Sequence, residues 1–588
     1  MKEFIKMFFA SCLGVMVGMV MLSFIIMTVA SALASSKSKL ETDGVLVLDF
    51  KETILEKTGN MPSDPFSPSV DNIGLRDYSK IIHHAIEDKK IKGILIKNPS
   101  PMMGQSSMYS VMDDLKAFKE SGKFIYAYGD YYEQGGYFVS SIADSIFLNP
   151  NGMIDIRGYA TMIPFFKKGL DKLGVKFDIF YAGDFKSATE PFRLTEMSEE
   201  NKLQTREFLN EMLEVMLEEV ASNRNMEASE FDGIFSDYKG STPESAMESG
   251  VVDVIAYWSE VEDMLKEKVG VDSDKKLKLT SLMDYKGEVS MVEKGPSTKK
   301  IAIVYAEGNV GYGKHEKGSI TEGEYIKIFS KIRRDDKIKA VVLRVNSGGG
   351  SALTSDIIWD EIERTKAMGK PVIASFGDYA ASGGYYIAAG ADSIVSQPNT
   401  LTGSIGVFSM LPNARKLLED RLGITFDSVQ THDLAVGYSG YFDLSEKERV
   451  IFESSTDRIY ETFLSRVADG RGMTKEEVHE VAQGRVWTGL RAKEIGLVDE
   501  IGDIDLAIDL AAEKVDLEEY KLVEYPFIKK DPFEEIINEF MKGMNNGDDA
   551  MIQLSKKNKE LVDFVKSNKE VLEAEGPQAR LLFKLQTN

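Results

Sequence analysis

Cysteine is nearly absent from this sequence: 588 residues contain one, Cys12, set in an apolar run near the N-terminus. A single thiol closes no intramolecular disulfide and builds no cysteine metal site. Histidine is scarce too. The five present (His83, His84, His315, His432, His479) show no ligand spacing beyond the adjacent pair, which is expected on a helix surface. Neither a metal nor another cofactor is therefore expected. Positive charge is in deficit, 71 Lys and Arg against 94 Asp and Glu, for a net charge of −23. That sign argues against nucleic acid as a partner, because phosphate binding needs a basic face. The composition also lacks the bias of a disordered chain: 43% is hydrophobic, 28% charged and 10% aromatic. Large cores can be buried, and at this length two or more folded units are expected.

Residues 8–36 carry no charge, after a short start bearing Lys2 and Lys6. A stretch of that length spans a bilayer as a helix. The rival reading is a cleaved signal peptide ending in the small residues Ala30 to Ala34, but the run is longer than a usual signal core. An uncleaved single-pass anchor over residues 1–40 is expected. Lysines flank both sides, so orientation is weakly marked; export of the long C-terminal part is expected, because long domains translocate largely regardless of charge.

The most informative pattern is an internal repeat. Gly129-Asp-Tyr-Tyr-Glu-Gln-Gly-Gly-Tyr-Phe138 matches Gly377-Asp-Tyr-Ala-Ala-Ser-Gly-Gly-Tyr-Tyr386 at six of ten positions. The same offset of 248 aligns Ala143-Asp-Ser-Ile146 with Ala391-Asp-Ser-Ile394, and Gly158 with Gly406. Ile91–Ile96 parallels Ile338–Leu343, and Ala246–Asp253 parallels Ala492–Asp499. The period is far too long for a solenoid, so this is a tandem domain duplication. Short apolar strands (Val45–Leu48, Ile301–Val304, Val341–Val345, Val372–Phe376) alternate with helical patterns (Glu324–Asp335, Thr354–Ala367, Ser445–Arg471). That alternation implies an α/β fold with a largely parallel sheet covered by helices. The repeats are placed at 41–295 and 296–524, with a charged junction at 293–300 and an acidic, helical C-terminal segment at 525–588.

Two glycine turns at strand ends carry the candidate chemistry. Asn346-Ser-Gly-Gly-Gly-Ser351 can present unobstructed N–H groups, or be no more than a tight strand-to-helix turn. In Gly377-Asp-Tyr-Ala-Ala-Ser382-Gly-Gly, Ser382 follows a strand and opens a helix, where free N–H groups favour negative charge. A serine there can be a plain N-cap; the two glycines behind it admit a substrate close to the hydroxyl. A serine nucleophile needs a base. His432 is the next histidine in the chain but has no identifiable acidic orienter, and a lysine serves if burial lowers its pKa. Among 71 basic residues the pattern alone makes no choice.

Four motifs, Arg344-Val-Asn-Ser-Gly-Gly-Gly-Ser351, Ala381-Ser-Gly-Gly-Tyr-Tyr386, Leu401-Thr-Gly-Ser-Ile-Gly406 and Gly484-Arg-Val-Trp-Thr-Gly489, together with the duplication, resemble the signal peptide peptidase A (protease IV) family in its long form. The resemblance runs from the anchor to about residue 520. It implies two tandem Clp/crotonase-like domains and a Ser-Lys dyad, with Ser382 as nucleophile. The lysine would be Lys186, in Gly183-Asp-Phe-Lys-Ser-Ala188. Ser404 would position the lysine, and backbone N–H groups of Gly383, Gly349 and Gly350 would form the oxyanion hole. Gly348 stands where the family usually has proline. Hydrophobic peptides, chiefly signal peptides left in the membrane, are the implied substrates. A homotetramer at the inner membrane, with its catalytic part outside the cytoplasm, is the implied setting. The repeat adds that Ser382 aligns with Gln134 and Lys186 near Ala435, so each copy keeps one dyad member and lacks the other. Two rivals are a crotonase-type acyl-CoA enzyme, sharing fold and glycines, and a catalytically dead membrane scaffold.

Overall fold

A computed structural model describes residues 43–527 and 578–580, apart from 52, 61–71, 290–296 and 314–316. The expected anchor, the first half of the expected junction and most of the C-terminal segment lie outside the described residues. Among the described residues no helix is long and apolar enough to cross a membrane.

The first repeat contributes β1 (Gly44–Leu48), α1 (Leu75–Glu87), β2 (Ile91–Lys97), α2 (Gln105–Glu120), β3 (Phe124–Glu133), α3 (Gln134–Ser140), β4 (Ser145–Asp155), β5 (Lys176–Ala182), α4 (Glu199–Arg224), β6 (Val254–Ile255) and β7 (Leu279–Ser281). Its sheet runs β6-β4-β3-β2-β1-β7, with every pairing parallel. His83 and His84 are exposed on α1. The second repeat contributes β8 (Lys300–Glu307), β9 (Asn309–Gly311), β10 (Ser319–Thr321), α5 (Glu322–Arg334), β11 (Ile338–Ser347), β12 (Gly349–Ser351), α6 (Ala352–Ala367), β13 (Val372–Ala381), α7 (Gly383–Ala388), β14 (Ser393–Ser396), β15 (Leu401–Gly403), β16 (Val407–Asn413), α8 (Glu446–Arg471), β17 (Val486–Thr488), β18 (Glu500–Ile501) and β19 (Lys521–Tyr525). Its eight-stranded sheet repeats the order β18-β14-β13-β11-β8-β19 with those pairings all parallel, and adds β15 beside the end of β13 and β17 antiparallel to β15. β11 and β13 are apolar and buried on both faces, as parallel strands between helices must be.

The repeated sequence motifs are the joints of this common frame. Asp144 and Asp392 accept the backbone N–H of Ile125 and Val372 at 2.9 and 2.8 Å. Asp253 and Asp499 accept those of Ile146 and Ile394, each at 2.7 Å. Tyr137 and Tyr385 donate to the carbonyls of Val251 and Leu497. Each repeat thus locks its outer strands with the same carboxylates and phenols.

Three differences from the sequence reading have local causes. α6 begins at Ala352 rather than Thr354, because Ser351 Oγ accepts the Thr354 N–H as an N-cap. β13 continues to Ala381 instead of ending at Phe376, because its last residues gain a second parallel partner in β15. Of the C-terminal segment expected to be helical, Gln578–Arg580 is a strand (β20), since it pairs with β12 and β16.

The two repeats interlock. β5 leaves its own sheet and pairs antiparallel with β16 over seven residues, Lys176 opposite Asn413 and Ala182 opposite Val407. A third sheet results, in the order β10-β9-β12-β20-β16-β5. Arg344 on β11, 2% exposed, donates to Glu56 Oε2 at 2.8 Å and Oε1 at 3.2 Å across the repeat boundary. Asp378 accepts the backbone N–H and the hydroxyl of Ser107 at 3.0 and 2.9 Å, capping α2 of the other repeat. α2 therefore stands against the strand that ends at Ser382.

Candidate active site

β13 delivers Ser382 and α7 begins directly after it. The turn is abrupt: Ser382 has φ 57° and ψ −117°, a region sparsely populated by non-glycine residues. Holding a residue there costs on the order of 1–3 kcal/mol and persists only where surroundings over-determine it. Here they do. The Ser382 N–H donates to the Gly403 carbonyl at 2.8 Å, and its carbonyl accepts the Tyr386 N–H at 2.9 Å. A side chain on Gly384 would start 2.4 Å from the Ser347 carbonyl oxygen, so glycine is required for this approach. The Gly383 N–H, the first of α7, has no acceptor within its own helix.

Lys186 enters from the loop after β5. Its Nζ lies 2.7 Å from Ser382 Oγ, 2.9 Å from the Ser404 carbonyl oxygen and 3.1 Å from Ser404 Oγ. Ser382 is fully buried and Lys186 is 1% exposed. Burial pushes the ammonium pKa down from 10.5 to about 7, because a charge without water or a carboxylate partner is poorly solvated. A neutral amine has two N–H groups and one lone pair. The two oxygens of Ser404 accept the N–H groups, which leaves the lone pair for the Ser382 hydroxyl to donate to.

The lysine loop is clamped by the motif Gly484–Gly489, a stretch whose role the pattern of residues did not disclose. The Phe185 N–H donates to the Gln483 carbonyl at 2.9 Å. A Cβ on Gly484 would lie 2.7 Å from the Lys186 backbone nitrogen, and one on Gly183 would lie 2.3 Å from the Gln483 carbonyl carbon. Gln204 on α4 ties both sides, donating to the Phe185 carbonyl at 3.1 Å and accepting the Val486 N–H at 3.1 Å. Arg485 stacks on Phe185 and pairs with Glu207. Ser404 is held by its own N–H, which donates to the Arg485 carbonyl at 2.6 Å. The same motif thus anchors Lys186 and Ser404 together.

Of the glycine turn, Gly349 and Gly350 take φ of 99° and 154°, conformations that favour glycine, whereas Gly348 needs no left-handed backbone. The Gly349 N–H donates to Ser347 Oγ at 3.2 Å. Gly350 stands in register with Val310 of β9 and Ala579 of β20. His432 is exposed and bonded to the neighbouring Thr431 hydroxyl, away from the buried serine. In the first repeat, Gln134 occupies the position of Ser382, and its Oε1 accepts the N–H groups of Arg157 and Gly158. Among the described residues no carboxylate pairs with Lys186, and no cluster of three or more His, Cys, Asp or Glu could hold a metal.

The description of peptidase family S49 matches residues 117–272 and again 364–518. Protease 4 of Salmonella typhi is 34% identical over 510 residues, covering 83% of this chain and 81% of that protein. Protease 4 of Haemophilus influenzae is 36% identical over 443 residues, covering 74% and 72%. The chloroplastic serine protease SPPA of Arabidopsis thaliana is 32% identical over 467 residues, covering 76% and 66%. The chain belongs to peptidase family S49, in two tandem copies, and is a serine-type peptidase.

Proposed function

We propose that this peptidase works through a Ser382–Lys186 dyad on hydrophobic peptides held at a membrane. The observation that carries the reading is the contact between Lys186 Nζ and Ser382 Oγ, 2.7 Å, in a buried setting that supplies no carboxylate to keep the lysine charged. Neutral Lys186 takes the hydroxyl proton as Ser382 Oγ bonds to the peptide carbonyl carbon, and the carbonyl π pair moves onto oxygen. N–H groups of Gly383 and of the Gly349–Gly350 turn stabilise that oxyanion; one such donor is typically worth about 3–4 kcal/mol. The tetrahedral intermediate expels the amine, which receives the proton from Lys186. Water, deprotonated by the same lysine, then releases the acyl group and restores Ser382. Ser404 is the positioning residue, accepting the two N–H groups that aim the lone pair.

The uncharged run at 8–36 supports a single-pass anchor with the dyad outside the cytoplasm, close to remnant signal peptides. A homotetramer is supported by unused repeat surfaces. Gly423–Val429 (Gly-Ile-Thr-Phe-Asp-Ser-Val) corresponds to Gly174–Phe180 (Gly-Val-Lys-Phe-Asp-Ile-Phe), which begins β5, yet it forms no strand and is largely exposed. Tyr159–Phe165 (Tyr-Ala-Thr-Met-Ile-Pro-Phe) corresponds to β16 (Val-Phe-Ser-Met-Leu-Pro-Asn) and also forms no strand, with Met162 93% exposed. The second repeat of one chain can therefore offer the first repeat of the next the ladder that β5 and β16 make within one chain. Such a head-to-tail contact makes a ring when its rotation closes.

The test of the dyad is labelling of the full chain with a serine-reactive fluorophosphonate. Wild type should label, Ser382→Ala should not, and Lys186→Ala should label at least about 100-fold more slowly at neutral pH. Undiminished labelling of Ser382→Ala overturns the nucleophile; undiminished labelling of Lys186→Ala overturns the base.

A further inference from the structure

One helix touches every side of the dyad's frame. α8 packs on β5, the strand that leads to Lys186, and on β16, the strand that follows Ser404. Its Phe452 stacks on Phe180 of β5 with ring centroids 5.6 Å apart. Its Phe463 meets Tyr386 of α7, the helix opened by the residue after Ser382, at 4.4 Å. Aromatic pairs of this kind hold a helix in place by more than the area they bury. Midway along α8 stands Tyr460, 7% exposed. Its hydroxyl accepts the backbone N–H of Gln483 at 3.2 Å and lies 3.1 Å from His479 Nδ1. Burial pushes the phenol pKa up to about 12, with Glu461 and Asp184 adding to the rise, so the hydroxyl keeps its proton at neutral pH.

Gln483 is a residue that needs holding. Its φ is 53°, in the left-handed region that glycine visits routinely and residues with a long side chain rarely do. It is tied on both sides of this turn, its N–H to Tyr460 and its carbonyl to the Phe185 N–H at 2.9 Å. Phe185 directly precedes Lys186. The next residue, Gly484, donates to the carbonyl of Ile405, the neighbour of Ser404, at 2.8 Å. Bonds thus run from α8 through the main chain of Gln483 to both loops that place the lysine amine. The first repeat is built differently at this point. α4 and α8 open on matching N-cap serines, Ser198 and Ser445, which sets Leu213 at the place of Tyr460. The repeat that has Gln134 in place of the serine therefore also lacks the hydroxyl.

We propose that Tyr460 is a positioning residue of this peptidase: its hydroxyl keeps Gln483 in the left-handed turn, and Gln483 keeps the Lys186 loop closed over Ser382. This role presupposes the dyad proposed above; Tyr460 itself touches neither the substrate nor the reacting atoms. Without the hydroxyl, the Gln483 N–H loses its acceptor and the turn relaxes towards negative φ, which swings the carbonyl away from Phe185. Lys186 Nζ then loses its fixed place between Ser404 and Ser382 and gains water, which favours its charged form.

The test is the rate of fluorophosphonate labelling of the full chain between pH 5 and 9.5. Tyr460→Phe keeps the ring in the core and removes only the hydroxyl. Its midpoint should lie about one pH unit above that of wild type, so labelling slows about fivefold at pH 7 and recovers towards pH 9. A merely structural loss lowers the folded fraction, scales the rate equally at every pH and leaves the midpoint in place. In a Gln483→Gly background, where glycine takes positive φ without an anchor, the same Tyr460→Phe change should move the midpoint less than about a third as far. His479→Ala, with the hydroxyl intact, should move it less than Tyr460→Phe does. An unmoved midpoint in Tyr460→Phe, an equal shift in both backgrounds, or an equal shift from His479→Ala overturns the role of the hydroxyl. Wild-type labelling that Ser382→Ala abolishes confines such a failure to Tyr460, whereas wild type that does not label refutes the dyad itself.

Discussion

The pH dependence of acylation gives the sharpest test of the site, because it follows from one number. In the proposed dyad Lys186 must be neutral to accept the Ser382 proton, and burial pushes its pKa down to about 7. The reactive fraction is then about one half at pH 7, about nine-tenths at pH 8 and about one-tenth at pH 6. The second-order rate of fluorophosphonate labelling should fall about fivefold from pH 7 to pH 6, and about tenfold more to pH 5. Above pH 8 it should be flat. A lysine with the ordinary value near 10.5 would instead give a rate still climbing about tenfold per unit through pH 9. Labelling rates between pH 5 and 9.5 at constant ionic strength decide between these. The site also predicts a shift. Ser404→Ala removes a hydrogen bond that favours the charged amine more than the neutral one, so the midpoint should move to lower pH while the plateau drops about tenfold. Replacing Lys186 by Arg, which does not deprotonate, should abolish labelling throughout. A profile that climbs without plateau to pH 9, or one unchanged by Ser404→Ala, refutes the argument that burial and Ser404 together tune this base.

Gly484→Ala should cost at least about tenfold in kcat, because the new methyl meets the Lys186 backbone at 2.7 Å and the residue sits at φ 78°. Its circular dichroism spectrum should stay near that of wild type. Gly348→Pro should retain activity within about twofold, since this glycine needs no left-handed backbone and follows an extended strand residue, as proline prefers. Thr425→Pro, in the unused counterpart of β5, should lower the mass seen by light scattering towards that of a single chain while leaving fluorophosphonate labelling of Ser382 intact.

The parallel sheets and the position of Ser382 were legible in the sequence, because buried apolar runs and a serine followed by two glycines are local signals. Lys186 was legible only through resemblance. Its surroundings hold no carboxylate or histidine that a pattern search could register; what marks the lysine is the loss of water around it, a property of the folded interior. The clamp at Gly484–Gly489 was visible as a motif without a meaning, since its partners lie some 300 residues away in Phe185 and Gln204. The crossing of β5 was invisible for a related reason. Its alternating sequence says strand and says nothing of which sheet. Gln578–Arg580 lies in a segment whose sequence reads as acidic and helical; pairing with the bare edge of β12 overrides that preference, as tertiary context commonly does for three-residue strands.

The crossing of β5 onto β16 bears on how this gene can vary. Were the reading frame divided between the two repeats, one product would carry an unpaired strand with the lysine beyond it, and the other an unpaired strand with the serine. Under the proposed dyad each would be sticky and inactive alone, and only their coexpression would restore a closed ladder. A substitution in either half is therefore screened by selection through the other half's chemistry. The duplication left no spare copy free to drift, but a single heritable unit whose two ends must change in step.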